Sequence, residues 1–413
     1  MTRMTVTEYI TANWGRSFYE DKDGSGFKGD DLPFPYTSPC IQGEGHFSFF
    51  FYWDTYFTNV GLLIDGYSEM AKNNICNMAW LIRRQGYMPN HTALHNRSQS
   101  PYFCRMVTEY FEAIGGTDTD PGLFRECAEA LRQEYNFWVT ARHTPIGLSH
   151  YGHHETAEGL AQFHDSIARR LPFLSKSSSF EDKVRIGGHF MANAEGTCDF
   201  SNRFDYRCLD FCQVDLNALL YEYETVLMGY SEQLGWGDIA LWKTRQEARA
   251  ERMQRYFWND AEGLFYDYDY VNERHSAVPA QTGYQTLFCG VATEAQAARM
   301  VENMPKFERE FGMAYTPDVP GARDYQWAYP NVWPPMVWML IRGLCRYGYA
   351  PEAKRLAEKY IRTTDQLFEK TGQLWEKTDA ETGEVAGGEY EAAPMIGWSA
   401  GVYIGCKQLL EVN

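Results

Sequence analysis

Two carboxylates in contrasting local settings stand out as candidates for acid–base chemistry. Asp199 lies in Ala194-Glu-Gly-Thr-Cys-Asp-Phe-Ser-Asn-Arg203, where small residues run into an aromatic. Such a turn can hold a carboxyl partly out of water, which disfavours its charged form and raises its pKa, as a general acid requires. Glu376 lies in Gln373-Leu-Trp-Glu-Lys-Thr-Asp379, also beside an aromatic. Hydrolysis of a glycosidic bond needs one carboxylic acid to protonate the departing oxygen. It needs a second, ionised carboxyl to activate water or attack the anomeric carbon. The chain holds 55 Asp and Glu residues, so many other pairs exist. An acidic loop residue is by default a solvated charge or a helix cap, and spacing alone does not select this pair.

Other reactive groups point less clearly. His150, His153, His154, Glu155 and Glu158 crowd one stretch, but the spacing is not His-Glu-x-x-His and no cysteine joins it, so no metal is expected. The ten cysteines are scattered, mostly through apolar helical stretches, and form no Cys-x-x-Cys pair. Cys198, Cys208 and Cys212 read as buried thiols, since a nucleophilic cysteine needs a basic partner that the sequence does not supply. Gly24-Ser-Gly26 and Gly387-Gly388 lack the strand–loop–helix setting of a phosphate loop. No cofactor is indicated.

Composition narrows the ligand. Aromatic residues make up 16% of the chain, with 12 Trp and 28 Tyr, more than a core alone requires. Trp and Tyr offer an apolar face and a polar edge, which suits the rings of sugars. A net charge of -17 argues against nucleic acid, whose phosphates call for an excess of Lys and Arg. The first residues have no apolar core of a signal peptide, and no apolar run reaches the roughly 18–20 residues that span a bilayer. Together with the unpaired cysteines, these features predict a cytoplasmic protein with no membrane partner.

Most of the chain shows helical periodicity. Ile75, Met78, Ala79 and Ile82 mark one buried helical face, as do Phe124, Cys127, Ala128 and Leu131 in a helix opened by Asp120 and Pro121. Leu216, Leu219, Leu220 and Tyr223 repeat the pattern. So do Met336, Met339, Leu340 and Gly343 after Pro334-Pro335. Further helices are expected near 102–115, 156–170, 237–257, 293–303, 351–369 and 398–411, with one strand near 263–269. About a dozen helices make either an open superhelix of hairpins or a closed toroid of six hairpins. No repeat period of 34–47 residues favours the open form. No linker divides the chain, so one domain over 1–413 is expected, with 1–40 as an extension packed on it. The aromatic and Gly-rich segments 36–56, 86–103, 145–158, 192–207, 320–335 and 373–398 are the places where function is expected to reside.

Eight motifs in order then resemble those of the trehalases. Phe47-Ser-Phe-Phe-Phe-Tyr-Trp-Asp-Thr-Tyr56 is similar to the first trehalase signature, which ends Trp-Asp-x-Tyr. Gly86-Tyr-Met-Pro-Asn90, followed by Asn96-Arg-Ser-Gln99, resembles the next. Asp199-Phe-Ser-Asn-Arg203 and Val214-Asp-Leu-Asn-Ala218 follow, then Gln326-Trp327 with Pro330-Asn-Val-Trp-Pro-Pro335. Glu376-Lys377, Gly387-Gly-Glu-Tyr390 and Gly397-Trp-Ser-Ala-Gly-Val402 complete the series, which spans roughly residues 40–410.

The resemblance implies an all-α, (α/α)6 toroid, shared by the family 37 trehalases and the family 63 glycoside hydrolases that act on α-glucosides, mannosylglycerate or glucosylglycerate. It implies hydrolysis with inversion, Asp199 as general acid and Glu376 as general base. By position, Trp53, Asp54, Asn90, Arg97, Gln99, Arg203, Trp327 and Glu389 line the sugar site. Phe47, Tyr52, Gln326, Trp333 and Trp398 lie on the same motifs, and Glu155 lies in a segment that reaches the sugar site in trehalases. The sequence also departs from the family: His46 replaces an arginine, Ala328 an aspartate and Cys198 a tryptophan, and the 90–97 stretch is about two residues short. A lost buried hydrogen-bond partner costs about 1–3 kcal/mol. The departures therefore point to a small α-glucoside or α-mannoside other than trehalose. True α,α-trehalase activity and a non-catalytic carbohydrate-binding toroid are the alternatives, and a homo-oligomer is left open.

Overall fold

The computed structural model describes residues 4–20, 32–44, 47–171, 173–174, 178–390 and 392–411; His46 and the Gly24–Gly26 stretch lie outside them. Among the described residues there are fourteen α-helices in chain order: α1 Val6–Asn13, α2 Tyr52–Ile64, α3 Ser68–Gln85, α4 Phe103–Ala113, α5 Pro121–Thr140, α6 Ala157–Arg170 and α7 Phe180–Glu195. The second half holds α8 Val214–Leu234, α9 Ile239–Phe257, α10 Gln285–Phe288, α11 Glu294–Asn303, α12 Pro334–Arg346, α13 Ala350–Thr371 and α14 Gly397–Glu411.

Six of them close a ring. α2 touches α4, α4 touches α8, and contacts continue through α10, α12 and α14 back to α2. The closed toroid, not the open superhelix, is the observed architecture, because the first and last inner helices are in contact. α3, α5, α9 and α13 pack outside this ring on their inner neighbours, and α1 packs on α13. Inner helices are covered on every side: α2 buries Tyr52 to Leu62 and α14 buries Gly397 to Cys406 without a break. Outer α13 buries only a stripe, Ala353, Leu356, Ala357, Tyr360, Thr363, Thr364, Leu367 and Phe368, as an amphipathic helix does.

Closure depends on glycine. A Cβ at Gly401 would stand 1.9 Å from the Phe57 carbonyl oxygen, and one at Gly61 would stand 2.7 Å from the Gly401 Cα. The α2–α14 backbones therefore approach as only small residues permit. Trp14, fully buried, plugs the same seam and donates from Nε1 to Asp65 at 2.7 Å.

The α6–α7 hairpin lies apart from the ring pairs. Thr156 and Ser179 cap its two helices, each accepting a backbone N–H at 3.1 Å. Neither α2 nor α7 shows in the sequence pattern. α2 is buried all round, Asp54 and Asn59 included, and so has no stripe, and Gly187-Gly188 interrupts the apolar pattern of the unbroken α7. The single strand expected near 263–269 is instead two, Leu264–Phe265 and Tyr268–Asp269, in separate small sheets. No helix among the described residues is long and apolar enough to cross a membrane.

Candidate active site

Loops from every part of the chain meet at one mouth of the ring, around a cavity of about 550 Å³. Local hydrogen bonds hold them together. The strand Asn331–Val332 pairs with Thr378–Asp379, which brings the Trp327–Trp333 segment against the Glu376 segment. Trp327 donates its N–H to the Phe200 carbonyl at 3.1 Å, and the Gln326 side-chain amide donates to the Asp199 carbonyl. Glu376 N–H donates to Ala393 at 3.0 Å, and Trp398 Nε1 to the Glu376 carbonyl at 3.0 Å.

Buried Glu195, at the end of α7, ties three loops to the turn that carries Asp199. It accepts from Arg142 at 2.7 and 2.8 Å, from Ser98 N at 2.9 Å and from Gly152 N at 2.6 Å. Charge-assisted bonds of this number offset the cost of burying the carboxylate and hold its pKa below the usual range.

The floor is aromatic. Trp327 and Trp333 stack with centroids 3.7 Å apart and planes 6° from parallel. Trp53 packs on Trp327 and on Trp398 at 5.8 and 5.7 Å. Phe47, Asn90, Arg97, Gln99 and Gln326 complete the expected part of the wall, with Asp54, Asp199 and Glu376 set into it. Gln99 also accepts from Tyr52 N and Trp53 N at 3.2 Å each, supplying the cap that Phe51 cannot give α2.

Four expected site residues are not part of the cavity lining. Tyr52 donates from its hydroxyl to Glu134 at 2.6 Å within the ring core. Glu155 accepts from Asn96 at 2.7 Å in a half-open loop. Arg203 is clamped by Asp267 at 2.7 Å and Asp215 at 3.0 Å beneath the acid-bearing turn. Glu389 is buried beside the cavity and paired with Arg170 at 2.5 Å. The departures Cys198 and Ala328 are buried and outside the lining as well.

The wall, and the layer behind it where Lys377 lies, also hold residues that motif reading passed over. Arg170, at the end of α6, reads in the sequence as one of two basic residues closing a helix. In the structure it lines the cavity with its guanidinium over Phe200 and Tyr390. Tyr390 and Lys377 sat inside quoted motifs, next to the residues chosen. Tyr390 donates to Glu376 Oε1 at 2.5 Å, and Lys377, fully buried, holds its ammonium 4.0 Å from the Tyr390 ring centre. Phe49, Phe51, His91 and Leu94 add an outer wall.

The carboxyls titrate unusually. Burial pushes Asp199 up to about 7, against the pull of Arg170 and Arg97 on its charge. Burial pushes Asp54 up to about 8, helped by the charges of Glu376 and Asp199. Burial also raises Glu376, while Lys377 and the Tyr390 hydrogen bond favour its ionised form. Near neutral pH, Asp199 and Asp54 thus carry protons readily, whereas Glu376 has two groups stabilising its charge. Its Oε2 has no hydrogen-bond partner, so it is free to accept one from water. The arrangement offers a proton donor, a proton acceptor and an aromatic floor within one enclosed space.

The histidine cluster is dispersed among other roles. His154 meets Arg142 at 3.3 Å, His150 meets the Leu209 carbonyl at 3.2 Å, and no group of three metal-binding side chains converges among the described residues.

A family model described as Trehalase matches residues 6–411. Among solved structures, the neutral trehalase of Saccharomyces cerevisiae is similar with a TM-score of 0.78 and 24% identity, over 91% of this chain and 74% of that one. A family 63 mannosylglycerate hydrolase from Thermus thermophilus, solved with glucose, gives 0.65 and 18%, over 90% and 95%. A rhamnosidase from Klebsiella oxytoca, solved with rhamnose bound, gives 0.56 and 11%, over 86% and 57%. At these identities the three likenesses show a common fold.

Proposed function

The chain belongs to the trehalase family and is a glycoside hydrolase, and from that premise we propose that it cleaves a small α-glucoside with inversion, Asp199 serving as general acid and Glu376 as general base. The observation that carries this reading is the cavity in which burial keeps Asp199 protonated up to about pH 7 while Glu376 keeps an unpartnered Oε2. Asp199 gives its proton to the glycosidic oxygen as the bond to the anomeric carbon breaks. Glu376 takes a proton from a water that attacks that carbon from the other face, so the product anomer is inverted. For this course the two carboxyls need room for one water between them and the sugar.

The remaining groups divide by chemistry. Asp54, Asn90, Arg97, Gln99 and Arg170 present donors and acceptors to ring hydroxyls, and Trp53, Trp327, Trp333 and Trp398 give an apolar face for the ring. Tyr52, Arg203 and Glu389 act from behind the wall as positioning residues, and Glu155 holds Asn96 beside Arg97. His91 and Leu94 on the outer wall are where the shortened 90–97 turn bears on the leaving group. Because Ala328 and Cys198 lie away from the cavity, they bear on specificity only through packing. Ten cysteines, none of them in a disulfide, suit a reducing, cytoplasmic setting.

The test is hydrolysis of a panel of α-linked disaccharides and glycosylglycerates, trehalose included, by the wild type and by Asp199→Asn and Glu376→Gln. Release of glucose by the wild type and its loss in both variants supports the reading. A panel left uncleaved, or cleavage that persists in either variant, contradicts it.

A further inference from the structure

A second cavity, of about 510 Å³, lies on the far side of the segment that carries Asp199, between residues 202–211, 274–278 and 320–325. Tyr206 and Tyr325 line it, and Phe173 packs on both from beside the lining. Tyr206 is 41% exposed and Phe173 is 43% exposed, yet the two rings pack at 5.3 Å and Phe173 also meets Tyr325 at 5.7 Å. Two large rings held together but left open to water form a platform rather than a stray surface residue. Tyr206 has φ +60° and its neighbour Asp205 φ +46°, a backbone region that a bulky side chain enters only when its surroundings impose it.

Polar groups wait inside. Both side-chain atoms of Asn202 are shielded from water and have no hydrogen-bond partner, and the residue lines the cavity. Shielded so, the amide faces protein rather than the open space, and the exposed lining carboxylates Asp205 and Asp324 are the acceptors that a ligand hydroxyl meets. The guanidinium groups around it are already paired, Arg274 with Asp269 at 3.8 Å among them, and carboxylates outnumber them. Arg203 is held by Asp215 and Asp267, and Arg207 by Asp210 and Asp269; Asp205 and Asp324 add further carboxylates to the lining. Guanidinium groups so occupied leave no net positive field for an anion. An aromatic platform beside carboxylates that accept from hydroxyls, with no surplus positive charge, fits an uncharged ring bearing hydroxyls.

We propose that this cavity is a second binding site for neutral carbohydrate, distinct from the catalytic one, with Tyr206 and Phe173 stacking on a sugar ring and Asp205 and Asp324 accepting from its hydroxyls. The site shares the 199–207 segment with the acid but not the acid itself. Its existence does not depend on the catalytic reading, since binding is measured without turnover.

The experiment is a saturation-transfer NMR titration with maltose in a Glu376→Gln background, so that the sugar is not consumed, comparing the parent with added Tyr206→Gly or Phe173→Ala. Both altered rings are exposed, and glycine relieves the positive φ, so folding is kept; circular dichroism verifies this. The expected result is a component of maltose binding weakened about five-fold or more in each variant. Inorganic phosphate leaves that component unchanged. With Glu376 intact, kcat/KM for the α-glucoside stays within about two-fold of the wild type in both ring variants, as for surface changes away from the chemistry. Superimposable titrations, whether or not the parent binds, overturn the proposal. Displacement by phosphate overturns the neutral-ligand assignment, and a fall of kcat/KM beyond about ten-fold places these rings in the catalytic site instead.

Discussion

At the scale of single residues, the account rests on how burial and neighbours set three carboxyls apart. Replacing Asp199 by Asn or Glu376 by Gln removes one proton transfer while keeping shape. Each is expected to lower kcat by about 10²–10⁴, the usual worth of a positioned acid or base, with an unchanged circular dichroism spectrum. The pH profile follows from the signs. The acid must be protonated, so kcat/KM falls as pH rises through the Asp199 value of about 7. The base must be ionised, so activity is lost as pH falls through a Glu376 value that burial holds above the ordinary carboxylate range. Lys377 opposes that rise. Lys377→Met removes a buried positive charge beside Glu376, so the acidic limb should move to higher pH, and by more than the alkaline limb. An acidic limb that does not move shows that Lys377 is only a packing element. Asp199 and Glu376 were legible because ordered motifs framed them. Arg170 was not, because a basic residue at a helix end is what the helix dipole favours anyway. Its meeting with Glu389 and Tyr390 is made by the fold, across more than two hundred residues of chain.

At the scale of elements, the acid depends on the α6–α7 hairpin, which is not one of the ring pairs. Gly187 lets α7 lie against α6: a Cβ there would stand 2.2 Å from the Leu160 carbonyl oxygen. Arg142 is the counterpart to Glu195 at the end of α7. Arg142→Met leaves Glu195 buried without its cation, a change that costs about 3–5 kcal/mol in buried pairs. The expected outcome is a lower midpoint of thermal unfolding and a larger fall in kcat than rise in KM, since the Asp199 turn loses its anchor before the sugar floor does. Outer helices such as α5 were readable from their stripes and caps; Asp120 does cap α5, accepting from Leu123 N at 3.1 Å. The inner α2 was hidden inside an aromatic run, because a helix buried on all sides has no period to show.

At the scale of the whole molecule, the ring closes only where α2 meets α14, and that seam is held by Gly61, Gly401 and Trp14. We propose that the chain unfolds as one domain. Trp14→Ala opens a cavity at the seam and should cost about 3–5 kcal/mol, as large-to-small changes of buried aromatics do. Calorimetry should show one transition, shifted down as a unit; two separated transitions would show that the N-terminal part and the ring are independent. The closed toroid followed from the motif resemblance, since composition and periodicity alone left an open superhelix available. The second cavity borders one motif only through Asn202 and Arg203, and the segments 274–278 and 320–325 that complete it lie outside the motifs.

The inverting pair is the claim on which the rest depends, and the anomer of the first-formed product reads it most directly. Proton NMR of an α-glucoside digest, recorded before mutarotation equilibrates the sugar, should show β-glucose appearing first. α-Glucose appearing first would contradict inversion and with it the roles given to Asp199 and Glu376.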